Sequence, residues 1–175
     1  RKSKKRKNGL KVGNQAGVEF IRDPQDELNG LDLTYRLIAD SIDVNKASDI
    51  TAGVDIGEKY DTYVEDINIT SSNFRGNGNM YVGDDLDIGG RSSRIYLKGH
   101  YRGYGNDNTE SKGSSSILIN GADTTLDFSM LDELVLSGHA YVGAKKYDAD
   151  KDRLSLASVF AKDSTTAELQ DAAKN

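Results

Sequence analysis

The apolar residues of this chain fall in short triplets, in which two apolar residues flank a middle position. Seven such triplets lie in the second third of the chain and beyond, beginning at Ile67, Met80, Leu86, Ile95, Ile117, Leu126 and Leu134. Alternation with a period of two is typical of β-strands that bury one face. The intervening segments are rich in Gly, Ser, Asn and Asp, which favour tight turns. The pattern predicts an all-β chain of short strands.

Two internal echoes accompany the triplets. Residues 86–97 align with residues 117–128, because each segment places two triplets nine residues apart across a turn. A second echo aligns residues 95–101 with residues 134–140 and gives His100 and His139 matching positions. Similar strand–turn–strand units in succession are typical of solenoids, whereas a β-sandwich needs only the short strand spacing. We therefore expect a right-handed β-solenoid (a single-stranded β-helix) with short coils, and a β-sandwich is the alternative.

Three regions follow from this pattern. Residues 1–30 are expected to form a basic, poorly ordered N-terminal arm, residues 31–160 the β-solenoid domain, and residues 161–175 a C-terminal tail or short helix. Thr165 and Glu168 have the spacing of a helix capping box. Residues 102–116 are polar and rich in Gly and Ser, which predicts a long loop.

Composition narrows the classes of protein that fit. The chain has 175 residues, of which 36% are hydrophobic, and it has no run of the ~18 apolar residues that a membrane-spanning helix needs. Cysteine is absent, which excludes disulfides, thiolate metal sites and a cysteine nucleophile. A small apolar supply suits a solenoid, because each coil buries only a narrow stripe against the next.

Charge is distributed unevenly along the chain. Six of the first seven residues are basic, and the remainder carries 17 basic and 28 acidic residues, a formal charge of -11. An acidic body repels phosphate backbones, so we expect no nucleic-acid binding by the folded part. The basic run is interpreted as a solvated terminus, a nucleic-acid or targeting tail, or the flank of a membrane segment outside this chain. The chain begins with Arg1 rather than Met, so a fragment or processed product is expected.

One acidic segment has the spacing of metal ligands. Asp148, Asp150 and Asp152 alternate at positions i, i+2 and i+4, as in the first half of a calcium-binding EF-hand loop. Arg153 stands where that loop needs glycine, and Val159 stands where it needs glutamate, which argues against an EF-hand. Calcium is thus the one cofactor that the sequence suggests, and a solvated acidic loop is the alternative.

Other acidic residues raise the question of catalysis. Asp84, Asp85 and Asp87 form a second cluster. Asp87 and Asp127 occupy the middle positions of two triplets, so we expect both carboxylates on one exposed strand face, as a glycosidase requires. Ordinary outward polar residues would give the same pattern. No nucleophile elbow or phosphate-binding loop motif is present.

Tyrosines near the predicted loop are candidate ligand-binding residues. Tyr101, Tyr104 and Tyr141 would offer rings for stacking on a sugar, since a tyrosine combines an apolar face with a polar hydroxyl. Tyrosines that cover the ends and edges of a solenoid are the alternative.

Four segments carry a family resemblance, and they comprise residues 80–90, 103–105, 115–127 and 134–143. Residues 79–154 as a whole resemble a β-helical domain found in surface proteins of Gram-positive, clostridia-like bacteria, which look like pilus-assembly or minor-pilin-type chains with a membrane helix near the N-terminus. A looser similarity is to bactofilins, bacterial filament formers that are also β-solenoids.

The resemblance implies a structural role, without enzyme activity, at the cell surface or outside the cell, and we expect the chain to work there as a scaffold or an adhesive stalk. The ends of a solenoid expose unpaired strand edges, so the expected partners are other copies of the chain or neighbouring domains of the same parent protein. The alternatives are a glycan-cleaving β-helix, a glycan-binding adhesin and an intracellular filament-forming scaffold.

Overall fold

The computed structural model describes residues 8–13, 16–45, 53–104, 115–136 and 140–143, and the backbone of residues 145–146 and 164–165. These residues form one 14-stranded sheet, rich in parallel pairs, and one short helix, which confirms the all-β class. The elements are β1 Leu10–Gly13, β2 Gly17–Phe20, α1 Pro24–Leu28, β3 Tyr35–Asn45, β4 Gly53–Ile56, β5 Tyr60–Thr70, β6 Asn73–Gly76, β7 Met80–Val82, β8 Leu86–Gly89, β9 Arg94–Gly103, β10 Ile117–Ile119, β11 Thr125–Leu136, β12 Tyr141–Val142, β13 Lys145–Lys146 and β14 Ser164–Thr165.

The parallel pairs align in three ladders. Ladder A comprises residues 10–13, 42–45, 67–70, 86–89, 117–119 and 142. Ladder B comprises residues 17–20, 53–56, 73–76, 94–97 and 125–127. Ladder C comprises residues 35–39, 60–64, 80–82, 101–103 and 134–136. Among the described strands, only the pairs β12–β13 and β11–β14 are antiparallel.

All three ladders contribute to one hydrophobic core. Ile67 of ladder A, Phe74 of ladder B and Met80 of ladder C are each at most 2% exposed and belong to the same buried cluster. The chain passes through ladders A, B and C in turn, so each passage adds a few apolar side chains to a narrow core. The middle residues of the triplets point the other way, because side chains alternate along a strand. A low apolar content is therefore sufficient for this chain.

The register of the strand pairs shows whether the segments of each sequence echo lie side by side in the sheet. The first echo is confirmed, because Ile117 pairs with Leu86 and Leu126 pairs with Ile95. The second is wrong, because Leu134 pairs with Tyr101 rather than with Ile95. The reason is that Leu134 lies in ladder C, whereas Ile95 lies in ladder B. Two register irregularities along β11, which has 12 residues against 10 in β9, also shift this pairing by two residues between the two ladders.

His100 shows the consequence of that shift. Its register partner is Glu133 on β11, and His139 lies outside the described residues. The pairing of β9 with β11 therefore gives no support to the expectation that the two histidines occupy matching positions.

The sheet extends beyond the predicted region boundaries. Residues 10–20, expected in a poorly ordered arm, contain β1 and β2, which pair in parallel with β3 and β4. They join the sheet because Leu10, Val12, Val18 and Phe20 alternate in sequence and pack on the core. At the other end, residues 164–165 pair with β11 as a strand, where the expected helix was to begin. Residues 1–7 and 166–175 lie outside the described part.

Candidate functional site

Ladder C carries a row of tyrosine side chains on its outward face. Tyr63 on β5 and Tyr81 on β7 are register partners, with ring centroids 4.7 Å apart and ring planes inclined by 14°. Tyr104, just after β9, stacks on Tyr81 with the centroids 6.2 Å apart. We call these three side chains the tyrosine row. Tyr63 is 39% exposed and Tyr104 is 54% exposed, so the row is accessible to a ligand.

Strand alternation and one backbone hydrogen bond position the row. Thr62 and Val64 on either side of Tyr63 are buried, which turns the Tyr63 ring outward. Met80 and Val82 orient Tyr81 in the same way. The amide of Tyr104 donates to the carbonyl of Val82 over 2.8 Å, which holds its ring near that of Tyr81.

The row offers ring edges and hydroxyl groups. Stacking covers the ring faces between Tyr63 and Tyr81, so a sugar ring cannot pack between them. Tyr104, at the end of the row and the most exposed of the three, has the ring best placed to stack on a ligand. Burial raises the pKa of Tyr81, and the negative charge of Asp61 raises it further. The Tyr81 hydroxyl therefore stays protonated and able to donate a hydrogen bond at physiological pH.

The three predicted tyrosines do not form one surface. Tyr101 is only 1% exposed and belongs to the core, so its ring is closed to ligands and it is removed from the candidate set. Tyr104 belongs to the tyrosine row. Tyr141 is 43% exposed but lies on β12 in ladder A, where its amide donates to the Ser116 hydroxyl over 3.0 Å.

Sequence reasoning missed Tyr63 and Tyr81. Each lies between two buried residues, Thr62 and Val64 around Tyr63 and Met80 and Val82 around Tyr81, and the two tyrosines are register partners. Aligning the triplets of ladder C with one another would have placed the two rings side by side. The first echo spans only residues 86–128 and therefore includes neither Tyr63 nor Tyr81.

The two carboxylates considered for glycosidase chemistry lie in different ladders. Asp87 is on β8 in ladder A and accepts a hydrogen bond from Asn120 Nδ2 at 2.9 Å. Asp127 is on β11 in ladder B and accepts one from Ser129 Oγ at 2.6 Å. Successive triplets belong to successive ladders, so equal positions within a triplet do not share a face. The prediction that these two carboxylates share one exposed face is wrong.

The second acidic cluster lies where the chain passes from ladder C to ladder A. The Oδ1 atom of Asp85 accepts a hydrogen bond from the amide of Ser116 at 2.8 Å. Burial raises the pKa of Asp85, and the nearby carboxylates of Asp66 and Asp87 raise it further. Nothing in the part of the chain that the structure describes brings three or more His, Cys, Asp or Glu side chains together as metal ligands. Asp148, Asp150 and Asp152 lie outside that part, so calcium binding there stays a prediction.

His100 lies beside a carboxylate that is also bound by an arginine. Its Nδ1 atom lies 3.9 Å from Glu133 Oε1, which also accepts a hydrogen bond from Arg102 at 3.1 Å. These three side chains link β9 to β11 across ladder C.

No protein-family model matches the chain, and comparison with curated proteins and with solved structures gives no significant match. Within the described ranges, no helix has the length and apolar character needed to cross a bilayer.

Proposed function

We propose that this chain is a right-handed β-solenoid module with a structural or adhesive role in a bacterial cell-surface or pilus-associated protein. In this arrangement ladders A, B and C are the three faces of the solenoid, and each passage through them is one coil. The continuous parallel register of all three ladders, from residue 35 to residue 136, is the observation that carries the proposal. Ladder A has six rungs, so at about 4.8 Å a rung the rigid body is about 24 Å long.

The outward side chains support a structural role, because many of them bind the next coil. Asn68 Nδ2 donates to Asp43 Oδ1 at 2.8 Å along ladder A. In ladder B, Arg75 lies between Asp55 and Tyr96. The tyrosine row continues the same type of contact in ladder C. Such contacts run along the stacking direction, where they resist separation of the coils under load.

The location can be tested on cells. An antibody raised against this chain should label intact cells of the source organism, because a surface module is accessible without permeabilisation. Labelling only after permeabilisation would overturn the surface assignment and favour the intracellular scaffold. Hydrolysis of any member of a broad glycan panel by the purified chain would overturn the non-enzymatic assignment.

The tyrosine row favours glycan binding as the adhesive activity. Exposed rings and neutral hydroxyl groups are the groups with which proteins contact sugar rings and sugar hydroxyls. On a glycan array, the Tyr104→Ala variant should lose binding that the parent chain shows. The Tyr141→Ala variant is the matched control, since Tyr141 is similarly exposed but lies in ladder A. Equal loss in both variants, or an array without any binding, would remove this activity.

A further inference from the structure

The two ends of the ladders differ in how their edge strands are paired. At the C-terminal end, β13 pairs antiparallel with β12, and β14 pairs antiparallel with β11. At the N-terminal end, β1 pairs with β3 and β2 pairs with β4, and in the described ranges no further strand lies on their outer edges. An edge strand presents unpaired N–H and C=O groups, which form a template for another strand. The N-terminal end therefore presents the strand edges on which a strand of another molecule could pair.

The two N-terminal edge strands are complementary to each other when they run antiparallel. Placing β1 of one copy against β2 of a second copy sets Leu10 opposite Phe20, Lys11 opposite Glu19, and Val12 opposite Val18. The apolar members of these pairs all pack on the core. Lys11 and Glu19 are both exposed, so the ammonium and carboxylate groups would meet on the outer face.

The third edge fits the same symmetry. A two-fold axis perpendicular to the stacking direction exchanges the edges of ladders A and B, and it maps the edge of ladder C onto itself. Residues 35–39 would then pair with their own copy, with Leu37 opposite Leu37. Leu37 and Ala39 pack on the core, so the apolar column would continue from one copy into the next. Two-fold dimers of this kind are the commonest protein oligomers.

We propose that two copies of this chain associate through their N-terminal ends as a two-fold dimer, with β1 of each copy paired antiparallel with β2 of the other. A second copy satisfies both charges at once, because Lys11 of each copy lies opposite Glu19 of the other, on the side of β1 away from its own register partner Asp43. The proposal rests on the arrangement of the three ladders around one core given under Proposed function.

Charge reversal tests the pairing through sedimentation equilibrium of the full chain. Glu19→Lys and Lys11→Glu should each raise the dimer Kd about tenfold, because each turns two attractive contacts per dimer into repulsive ones. The double variant Lys11→Glu/Glu19→Lys should return the Kd to within about threefold of the parent value. Arg91→Glu is the control for Lys11→Glu and Asp132→Lys the control for Glu19→Lys, because each reverses a charge of the same sign at an exposed position away from β1 and β2.

A separate measurement checks that the charge reversal at Glu19 leaves the fold of each copy intact. Glu19 is the register partner of Asp55 within its own chain, so Glu19→Lys replaces a like-charge pair by an opposite-charge pair and should not weaken the fold. An unchanged thermal midpoint with a raised Kd in Glu19→Lys would thus assign the effect to the interface. Lys11→Glu instead faces Asp43 of its own chain with a like charge and should lower the thermal midpoint, so Glu19→Lys is the variant that decides.

Cysteine cross-linking provides an independent readout, since the chain has no cysteine. The variant Lys11→Cys/Glu19→Cys should form a covalent dimer on mild oxidation, and either single variant should form far less of it. A monomer at all concentrations up to ~1 mM, or a dimer whose Kd is the same in Glu19→Lys as in the parent chain, would overturn the pairing. Either result would leave the proposed structural role intact.

Discussion

The guanidinium carbon of Arg75 lies 4.2 Å from the centroid of the Tyr96 ring on the neighbouring strand of ladder B. Its Nε atom lies 3.8 Å from Asp55 Oδ2 on the strand at the other side. One cation therefore joins three successive strands, β4, β6 and β9, through a carboxylate and an aromatic face.

Replacing this cation should weaken the fold measurably. We expect Arg75→Ala to lower the free energy of unfolding by about 1 kcal/mol, because exposed cation–π contacts and surface ion pairs each contribute at most about that much. Urea denaturation at pH 7 measures the change, with Arg91→Ala as the control at an exposed arginine. In a double-mutant cycle, a coupling energy of zero between Arg75→Ala and Tyr96→Ala would contradict the stacking contribution.

Gly78 is required by a close approach of two backbone segments. A Cβ atom at this position would overlap the carbonyl oxygen of Tyr60, which β3 holds in place through the pairing of Tyr60 with Tyr35. We expect Gly78→Ala to lower the free energy of unfolding by about 3 kcal/mol, since rigid backbone must move.

Gly89 provides the matched control for that substitution. A Cβ atom there meets nothing within 4 Å, so Gly89→Ala should change the free energy of unfolding by less than about 1 kcal/mol. Equal thermal midpoints for the two alanine variants would refute the assigned contact.

The carboxyl group of Asp85 should make stability depend on pH. Its pKa is raised by burial and by the charges of Asp66 and Asp87, so the folded state binds its proton more tightly than the unfolded state. Stability is then lost as the pH rises from the unfolded-state pKa through the folded-state pKa. We expect Asp85→Asn to raise the thermal midpoint at pH 7 and to flatten this part of the pH profile.

An asparagine at position 85 keeps an oxygen that can accept the hydrogen bond from the Ser116 amide. Asp132→Asn, at an exposed position, controls for the change in net charge. A lower midpoint for Asp85→Asn than for the parent chain at pH 7 would show that the charged carboxylate is stabilising, contrary to this prediction.

Tyr101 is buried, and within the described residues its hydroxyl has no hydrogen-bond partner. Burial raises the pKa of this hydroxyl, so it stays neutral over the whole working pH range. Removing an unsatisfied buried polar group removes its desolvation cost, and we expect Tyr101→Phe to raise the free energy of unfolding by about 1 kcal/mol. Chemical denaturation measures this, and destabilisation by a similar amount would show that the hydroxyl is satisfied.

The sequence predicts the strand content and part of the register, because period-two alternation and repeated turns are local properties. The pairing of Leu86 with Ile117 is predictable from these local patterns. The inward position of the Tyr101 side chain is not predictable from them, because a tyrosine is compatible with either face of a strand. Its inward position depends on where β9 turns from ladder B to ladder C, near Gly99 with its φ of 84°.

The candidate site was less predictable than the fold. Tyr63 and Tyr81 meet only through the pairing of β5 with β7, a contact between two strands that neither local sequence pattern specifies. Likewise, the separation of Asp87 from Asp127 depends on which triplet enters which ladder. A single sequence shows where the triplets are, but it does not show which triplets pair with one another in the folded sheet.

In this molecule the register of a strand pair does not depend on the number of residues that connect the two strands. In ladder A, 19 residues separate Ile67 from its partner Leu86, and 31 separate Leu86 from its partner Ile117, yet both pairs are in register. Doubling the length of a flexible connection costs only about 0.6 kcal/mol in closure entropy. Whole segments can therefore be inserted or removed between rungs while the inward side chains keep their places, which makes the connections natural positions for grafting new binding sequences.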